Sequence, residues 1–356
     1  IAAQGINILL EAGVPAGVVQ LLPGRGETVG AKLTSDNRVR GVMFTGSTEV
    51  ASLLQRNIAT RLDAQGRPTP LIAETGGMNA MIVDSSALTE QVVVDVLASA
   101  FDSAGQRCSA LRVLCLQDDV ADHTLKMLRG AMAECRMGNP GRLTTDIGPV
   151  IDAEAKANIE NHIQAMRAKG RPVFQAVREN SEDAREWQTG TFVPPTLIEL
   201  ASFDELKKEV FGPVLHVVRY NRNNLNELVE QINASGYGLT LGVHTRIDET
   251  IAQVTGNAKV GNLYVNRNMV GAVVGVQPFG GEGLSGTGPK AGGPLYLYRL
   301  LANRPENALG VTLARQDAEY PVDAQLKTVL TQPLDALIKW ADNRPELRAI
   351  AQQYGE

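Results

Sequence analysis

Two residues of this chain carry the groups that thioester chemistry needs, and each lies in a turn that contains glycine. Glu74 begins the segment Glu-Thr-Gly-Gly, and Cys108 lies in the segment Gly-Gln-Arg-Cys-Ser. A thiolate can add to an aldehyde carbonyl and, after hydride loss, hold the product as a thioester. A carboxylate can activate the water that hydrolyses this thioester. The pair therefore predicts aldehyde oxidation, with Cys108 as nucleophile and Glu74 as general base.

The composition excludes several other classes of function. With 34 Lys and Arg against 39 Asp and Glu, the net charge of −5 predicts no nucleic-acid partner. No apolar run is long enough to predict a membrane span. The three cysteines are too few for a disulfide framework, and no Cys/His cluster has zinc spacing, so we expect no metal site. A reducing, cytoplasmic setting is expected, and it suits a reactive thiol.

Segments typical of strands and helices alternate before Glu74. Such alternation predicts parallel βαβ units in a doubly wound α/β sheet. The predicted strands are 18–22, 39–44 and 71–73, and the predicted helices are 27–33 and 48–62. A later helix, predicted over 86–104, leads to Cys108 and opens a second α/β region.

Two turns between these predicted strands and helices have residues suited to a phosphate. The first contains Gly24 and Gly26, although its spacing is not the usual G-x-G-x-x-G. The second is Thr45-Gly46-Ser47, where Ser47 is suited to cap the following helix. Each turn taken alone is explained as well by an ordinary tight turn or helix cap. Together, in successive βα units, they favour a dinucleotide site.

The order and sequence of these motifs resemble the aldehyde dehydrogenase superfamily. The resemblance implies an aldehyde dehydrogenase-like α/β fold, with a Rossmann-type NAD domain and an α/β catalytic domain. It implies that the turn at Gly24 and Gly26 lies by the adenosine, and that the turn Thr45-Gly46-Ser47 approaches the pyrophosphate. A further matching motif, Glu-Val-Phe-Gly-Pro, implies that Glu209 binds the nicotinamide ribose and that Phe211 packs on the nicotinamide.

The segment around Gly271-Ala272, with Ser109 after the nucleophile, resembles Δ1-pyrroline-5-carboxylate dehydrogenases. The resemblance implies that Ser109 and the N–H groups at Gly271 and Ala272 hold a substrate carboxylate, while Phe279 packs on its aliphatic chain. Backbone N–H groups in a turn can form such an anion site without an arginine. The implied small-molecule substrate is L-glutamate γ-semialdehyde, and the product is glutamate.

The resemblance also suggests a division of the chain and a longer parent protein. We expect a partial, N-terminally truncated NAD-binding domain at 1–76, since Ile1 begins within a helical pattern, and a catalytic thiol domain at 77–278. Residues 279–318 would return to the NAD domain and an oligomerisation region, and 319–356 would begin a C-terminal extension. The segment 285–294 resembles the dehydrogenase module of the bifunctional proline utilization A family. This implies a linked upstream proline dehydrogenase domain that carries FAD, NAD on this chain, a homo-oligomer, and a parent that is cytoplasmic or peripheral to the inner membrane face.

Three alternatives stay open at the level of sequence. The substrate could be another carboxylated semialdehyde, although such enzymes usually hold the carboxylate with an arginine. The chain could also be a non-catalytic fragment, because the family's asparagine oxyanion donor lies before the catalytic glutamate and would precede Ile1. A cysteine hydrolase would need a histidine beside Cys108, and the nearest in sequence, His123, has no motif around it.

Overall fold

The computed structural model describes residues 1–62, 66–177, 189–273 and 275–301. The chain divides into two units, residues 1–296 and 297–356, and the described strands all lie in the first. The predicted extension at 319–356 lies outside the described residues, as does 302–318 of the segment before it. The predicted domain boundaries stay a prediction.

Helices and strands alternate along the described chain. Its helices include α1 (Ala2–Glu11), α2 (Ala31–Ser35), α3 (Thr48–Ala59), α4 (Thr89–Phe101), α5 (Asp118–Glu134), α6 (Ala153–Ala168), α7 (Leu225–Ala234), α8 (Asp248–Asn257) and α9 (Pro294–Leu300). Its strands include β1 (Val42–Thr45), β2 (Leu71–Glu74), β3 (Ala80–Val83), β4 (Val113–Gln117), β5 (Val173–Gln175), β6 (Thr196–Leu200), β7 (Val214–Tyr220), β8 (Tyr237–Gly238), β9 (Thr240–His244), β10 (Asn262–Val265) and β11 (Glu282–Gly283). Among the described residues, no helix is both long enough and apolar enough to span a membrane.

The larger core surrounds a seven-stranded sheet. Its strand order is β10-β9-β3-β4-β7-β6-β5, and all neighbours are parallel except β5 and β6. The central strands β3 and β4 are buried along their whole length, as expected for parallel strands that are covered on both faces. The carboxyl ends of β3, β9 and β10 therefore meet at one edge of this sheet.

A smaller parallel pair, β1 and β2, carries the predicted base. Thr45 pairs with Glu74, so the turn that follows β1 begins beside the end of β2. Ile58 of α3 and Leu71 of β2 belong to a separate small core. Residues 284–287 run along β2: the N–H of Thr75 donates to the carbonyl of Ser285 at 2.9 Å, and Glu74 forms a bridge with Gly286. Glu74 is thereby enclosed between β1 and this later segment.

The first predicted βα unit is not formed as expected. Residues 18–22 are not a strand, because none of the described residues pairs with them and a strand needs a hydrogen-bonded neighbour. The helix predicted at 27–33 is confirmed: a π-helix, Gly26–Gly30, continues directly into the short helix α2. The other predicted elements before Cys108 are confirmed, with boundaries that differ by a few residues.

Candidate active site

The predicted nucleophile, Cys108, lies in a turn that reverses the chain after α4 and that we call the nucleophile turn. Three consecutive residues before it have left-handed backbone: Ser103 (φ 56°), Ala104 (φ 54°) and Gly105 (φ 65°). A side chain at Gly105 would meet the carbonyl oxygen of Gly212, 2.1 Å from the position of its Cβ. Two non-glycine residues in this conformation store backbone strain, which must be balanced by contacts around the turn.

Asn79 supplies one of these contacts. It is buried at the start of β3, and its Nδ2 donates to the carbonyls of Cys108 at 2.7 Å and Ala110 at 2.8 Å. Its Oδ1 accepts from the N–H of Thr240 at 3.2 Å. Asn79 therefore ties the nucleophile turn to β3 and β9. The sequence interpretation assigned it no role; its signal was a polar residue at the start of an apolar strand.

Arg112 supplies the other contact. Its side chain is 0% exposed and donates to the carbonyls of Gly105 at 2.6 Å and Arg107 at 3.0 Å. Its Nε and Nη2 donate to Oε1 of Glu209 at 3.0 and 2.9 Å. Because a buried charge needs a partner, Arg112 and Glu209 hold each other in place and join the nucleophile turn to the predicted ribose ligand. Sequence reasoning also missed this residue.

The surroundings of Cys108 favour its neutral thiol. The pKa of Cys108 is raised first by burial and then by the negative charges of Glu209 and Glu74. Backbone N–H groups of Ser109 and of Cys108 itself lower it. The thiol is half-buried, in contrast to Cys115, which is completely buried in β4. Cys108 is therefore accessible, but its ionisation requires a change in the local charge.

Glu74 has the environment of a base that works near neutral pH. Burial raises its pKa to about 7, although the N–H of Gly281 and the positive charge of Lys290 oppose this rise. The N–H of Gly281 donates to Oε2 of Glu74 at 3.0 Å, while Oε1 is buried without a hydrogen-bond partner among the described residues. A carboxylate with a pKa close to the working pH is well matched to accept a proton from water.

A cavity of about 1130 Å³ brings most of the predicted site residues together. The predicted residues in its wall are Thr45, Gly46, Ser47, Cys108, Ser109, Glu209, Phe211, Gly271, Ala272 and Phe279. Glu74 is not in the wall, but Thr75 and Gly76, which follow it, are. Gly24 and Gly26 are exposed and also lie outside the wall, so the structure does not bring the first predicted turn to this cavity.

The residues predicted to bind the cofactor have local features that bear on this prediction. Ser47 caps α3, with its Oγ accepting from the N–H of Val50 at 3.3 Å, so the positive end of the helix begins at the cavity. Phe211 is 46% exposed, which leaves ring surface for another flat ring. A Cβ at Gly76 would lie 1.6 Å from Oε2 of Glu209, so only glycine permits this carboxylate to reach the wall.

The residues predicted to hold the substrate carboxylate are also adjacent. Gly271 has a φ of 62°, and its N–H donates to Oγ of Ser109 at 3.2 Å. The main chain of Phe279 pairs with Ala291 in both directions, at 2.9 and 2.8 Å. Ser109 directly follows Cys108, so a carboxylate held by the Ser109 hydroxyl and the Gly271 amide would lie next to the nucleophile.

Comparison with known proteins gives a consistent picture. The model of the aldehyde dehydrogenase family matches residues 1–302. Over all 356 residues the chain is 89% identical to the bifunctional protein PutA of Escherichia coli K12, of which it spans 27%. It is 36% identical over 299 residues to the 1-pyrroline-5-carboxylate dehydrogenase of Bacillus cereus, covering 83% of this chain and 56% of that one.

Solved structures show the same similarity. A variant of Bradyrhizobium japonicum proline utilization A matches 84% of this chain and 30% of its own, with a TM-score of 0.78 and 51% identity. A 1-pyrroline-5-carboxylate dehydrogenase from Thermus with bound NAD matches 83% of this chain and 56% of its own, with a TM-score of 0.76 and 36% identity. The chain thus spans about a quarter of the length of the bifunctional relatives.

Proposed function

The chain belongs to the aldehyde dehydrogenase family, and from this premise we propose that it performs the NAD-dependent oxidation of L-glutamate γ-semialdehyde to L-glutamate. Family and fold class are those predicted from the sequence. The observation that carries the proposal is the shared cavity, whose wall contains Cys108, Ser109 and Gly271 together with Glu209 and Phe211. The similarity to 1-pyrroline-5-carboxylate dehydrogenases supports the choice of substrate.

The first half of the reaction forms the thioester. In the proposal, NAD supplies the hydride acceptor, Glu209 receives the hydroxyls of its nicotinamide ribose, and Phe211 packs on the ring. Ser109, Gly271 and Ala272 hold the substrate carboxylate, while Phe279 contacts the aliphatic chain. The Cys108 thiolate adds to the aldehyde carbon and forms a thiohemiacetal. Loss of hydride from that carbon then leaves the acyl group on sulfur.

The second half releases the product. Glu74 accepts a proton from water, whose oxygen attacks the thioester carbon, and the C–S bond breaks to return the Cys108 thiolate. The carboxyl of Glu74 accepts a hydrogen bond from the N–H of Gly281. It lies outside the cavity wall, next in sequence to the wall residues Thr75 and Gly76. Its side chain must therefore leave this hydrogen bond, or act through a water at the wall, when it serves as base.

The proposal extends to the place of this reaction in metabolism. The bifunctional relatives support a role as the second step of proline breakdown, after proline has been oxidised on a linked proline dehydrogenase domain that carries FAD. Neither FAD nor that domain is assigned to residues of this chain. The homo-oligomer, the cytoplasmic location and the roles of Gly24 and Gly26 stay predictions.

The test compares cysteine variants of the natural, full-length protein that contains this chain. Cys108→Ala should abolish NAD reduction with glutamate semialdehyde and retain NAD binding in calorimetry, while the control Cys135→Ala keeps activity. Turnover by Cys108→Ala would overturn the thioester mechanism. A higher kcat/KM for succinic semialdehyde than for glutamate semialdehyde would overturn the substrate assignment and leave the mechanism standing.

A further inference from the structure

The loop of residues 266–272, which carries Gly271 and Ala272, is held at its start by Asn266. This residue has a φ of 52°, directly after β10. Its side chain accepts from the N–H of Thr245 at 3.0 Å and donates to the carbonyl of the same residue at 2.9 Å. The beginning of the 266–272 loop is therefore attached to the end of β9.

The middle of the loop is held by Met269 and Ser99. The Met269 side chain is completely buried, and a Cβ at Gly242 would lie 2.8 Å from its sulfur. The N–H of Met269 donates to Oγ of Ser99 at 3.0 Å, and this hydroxyl donates to the carbonyl of Asp95 at 2.5 Å. Ser99 is 2% exposed, so water does not replace it as the partner of Met269.

Ser99 also contacts the nucleophile turn through its main chain. It lies in the last turns of α4, the helix that leads to Cys108. Its carbonyl accepts from the N–H of Leu111 at 2.9 Å, on the far side of that turn. One buried serine thus bonds to the 266–272 loop with its hydroxyl and to the nucleophile turn with its carbonyl.

We propose that Ser99 is a positioning residue. It sets the position of the Gly271 and Ala272 amides, which bind the substrate carboxylate, relative to Cys108 and Ser109. Met269 and Gly271 are two residues apart, a span of at most about 7 Å, so movement of Met269 displaces the Gly271 amide. Without the hydroxyl, the Met269 N–H is buried and unpaired, and the loop relaxes away from α4. The inference rests on the proposed function, because it requires a substrate with a carboxylate.

Substitution of the Ser99 side chain separates its two contacts. Ser99→Ala removes the bond to Met269 but keeps the carbonyl that accepts from Leu111. The nucleophile turn then stays in place while the loop loses its central attachment. An aldehyde without a carboxylate does not use the amides of Gly271 and Ala272, so displacement of the 266–272 loop should affect its oxidation little.

The experiment measures kcat and KM of the natural, full-length protein for glutamate semialdehyde and for propionaldehyde. Ser99→Ala should raise KM for glutamate semialdehyde about tenfold, the factor expected from one lost hydrogen bond, and change kcat/KM for propionaldehyde little. Ser99→Cys, which keeps the side-chain shape and weakens the acceptor, should shift the same KM in the same direction. If Ser99→Ala does not fold, the KM of Ser99→Cys for glutamate semialdehyde tests the inference in its place.

The matched control is Thr196→Val in β6. Thr196 is completely buried, and its hydroxyl also makes one donated and one accepted bond: it donates to the carbonyl of Pro194 at 2.8 Å and accepts from Nε2 of Gln175 at 3.2 Å. The control should leave the ratio of kcat/KM for the two substrates unchanged. An equal loss for both substrates in the Ser99 variants, or an unchanged KM for glutamate semialdehyde, would show a structural role only and overturn the inference. A wild-type protein without preference for glutamate semialdehyde would instead overturn the proposed function.

Discussion

The raised pKa of Glu74 predicts how the hydrolysis of the thioester depends on pH. Burial brings this pKa to about 7. Only the carboxylate form can accept a proton from water, so the rate of hydrolysis should follow the ionised fraction of Glu74. With a pKa of about 7, that fraction is about 0.09 at pH 6 and about 0.91 at pH 8, which corresponds to an increase of about tenfold.

Substitution of Lys290 tests the electrostatic origin of this value. The positive charge of Lys290 lowers the pKa of Glu74, and its Nζ donates to the carbonyl of Gly261. Lys290→Met should therefore move the midpoint of the pH profile upward. An increase of about one pKa unit would reduce the ionised fraction at pH 7 about fivefold. The matched control is Lys259→Met, which removes an exposed lysine close in sequence to Gly261 and should leave the midpoint in place.

Rapid mixing and chemical quenching separate the two halves of the reaction. NADH formation in the first turnover reports acyl transfer to Cys108, and the decay of the acyl-enzyme reports hydrolysis. In the wild type, the decay rate should rise with pH around a midpoint near 7, whereas in Glu74→Gln it should be slow and independent of pH. A flat wild-type profile between pH 6 and pH 8, or a midpoint that falls in Lys290→Met, would refute the reasoning.

Three further substitutions test the supports of the site. Arg112→Met leaves Glu209 buried without its cation and should lower the free energy of unfolding by about 3–5 kcal/mol in denaturant titration; an unchanged value would show that the pair does not hold the turn. Glu209→Gln removes a negative neighbour, so it should lower the pKa of the Cys108 thiol, read from the pH dependence of alkylation by iodoacetamide. Gly76→Ala places a methyl group 1.6 Å from Oε2 of Glu209 and should raise KM for NAD, while alkylation of Cys108 in the absence of ligand stays measurable as evidence of folding.

Cys108 and Glu74 could be proposed as reacting groups from the sequence because their chemistry is carried by residue type, and their roles stay a prediction. Cys108 and Glu74 lie in short glycine-containing turns whose sequence motifs single them out. Ser47 caps its helix as predicted. The alternation of strand and helix was sufficient for the α/β fold class. The turns, the helix cap and the alternation of strand and helix each depend on a short stretch of sequence, so they could be predicted without knowledge of the tertiary fold.

The residues that hold the reacting groups could not be predicted in the same way. Arg112 and Glu209 are 97 positions apart, and Asn79 and Ser99 act largely on backbone groups of distant segments. A side chain can hydrogen-bond to the backbone carbonyl or N–H of any residue type. The sequence therefore gives no sign of which residue the partner is. The strand predicted at 18–22 failed for a related reason, since apolar residues indicate the capacity to pair but not whether a partner strand is present.

The charges around Cys108 also connect cofactor binding to the activation of the thiol. Burial and the charges of Glu209 and Glu74 raise the pKa of Cys108, so these surroundings favour the protonated thiol at neutral pH. Arg112 donates to Oε1 of Glu209, whereas Oε2 lies against Gly76 in the cavity wall, and the backbone of Gly77 also hydrogen-bonds to this carboxylate. A positive charge bound against Glu209 and Phe211 would offset the remaining negative charge and lower the pKa of Cys108. Under the proposed function, the nicotinamide ring of NAD would carry this charge, so cofactor binding should lower the pKa of Cys108.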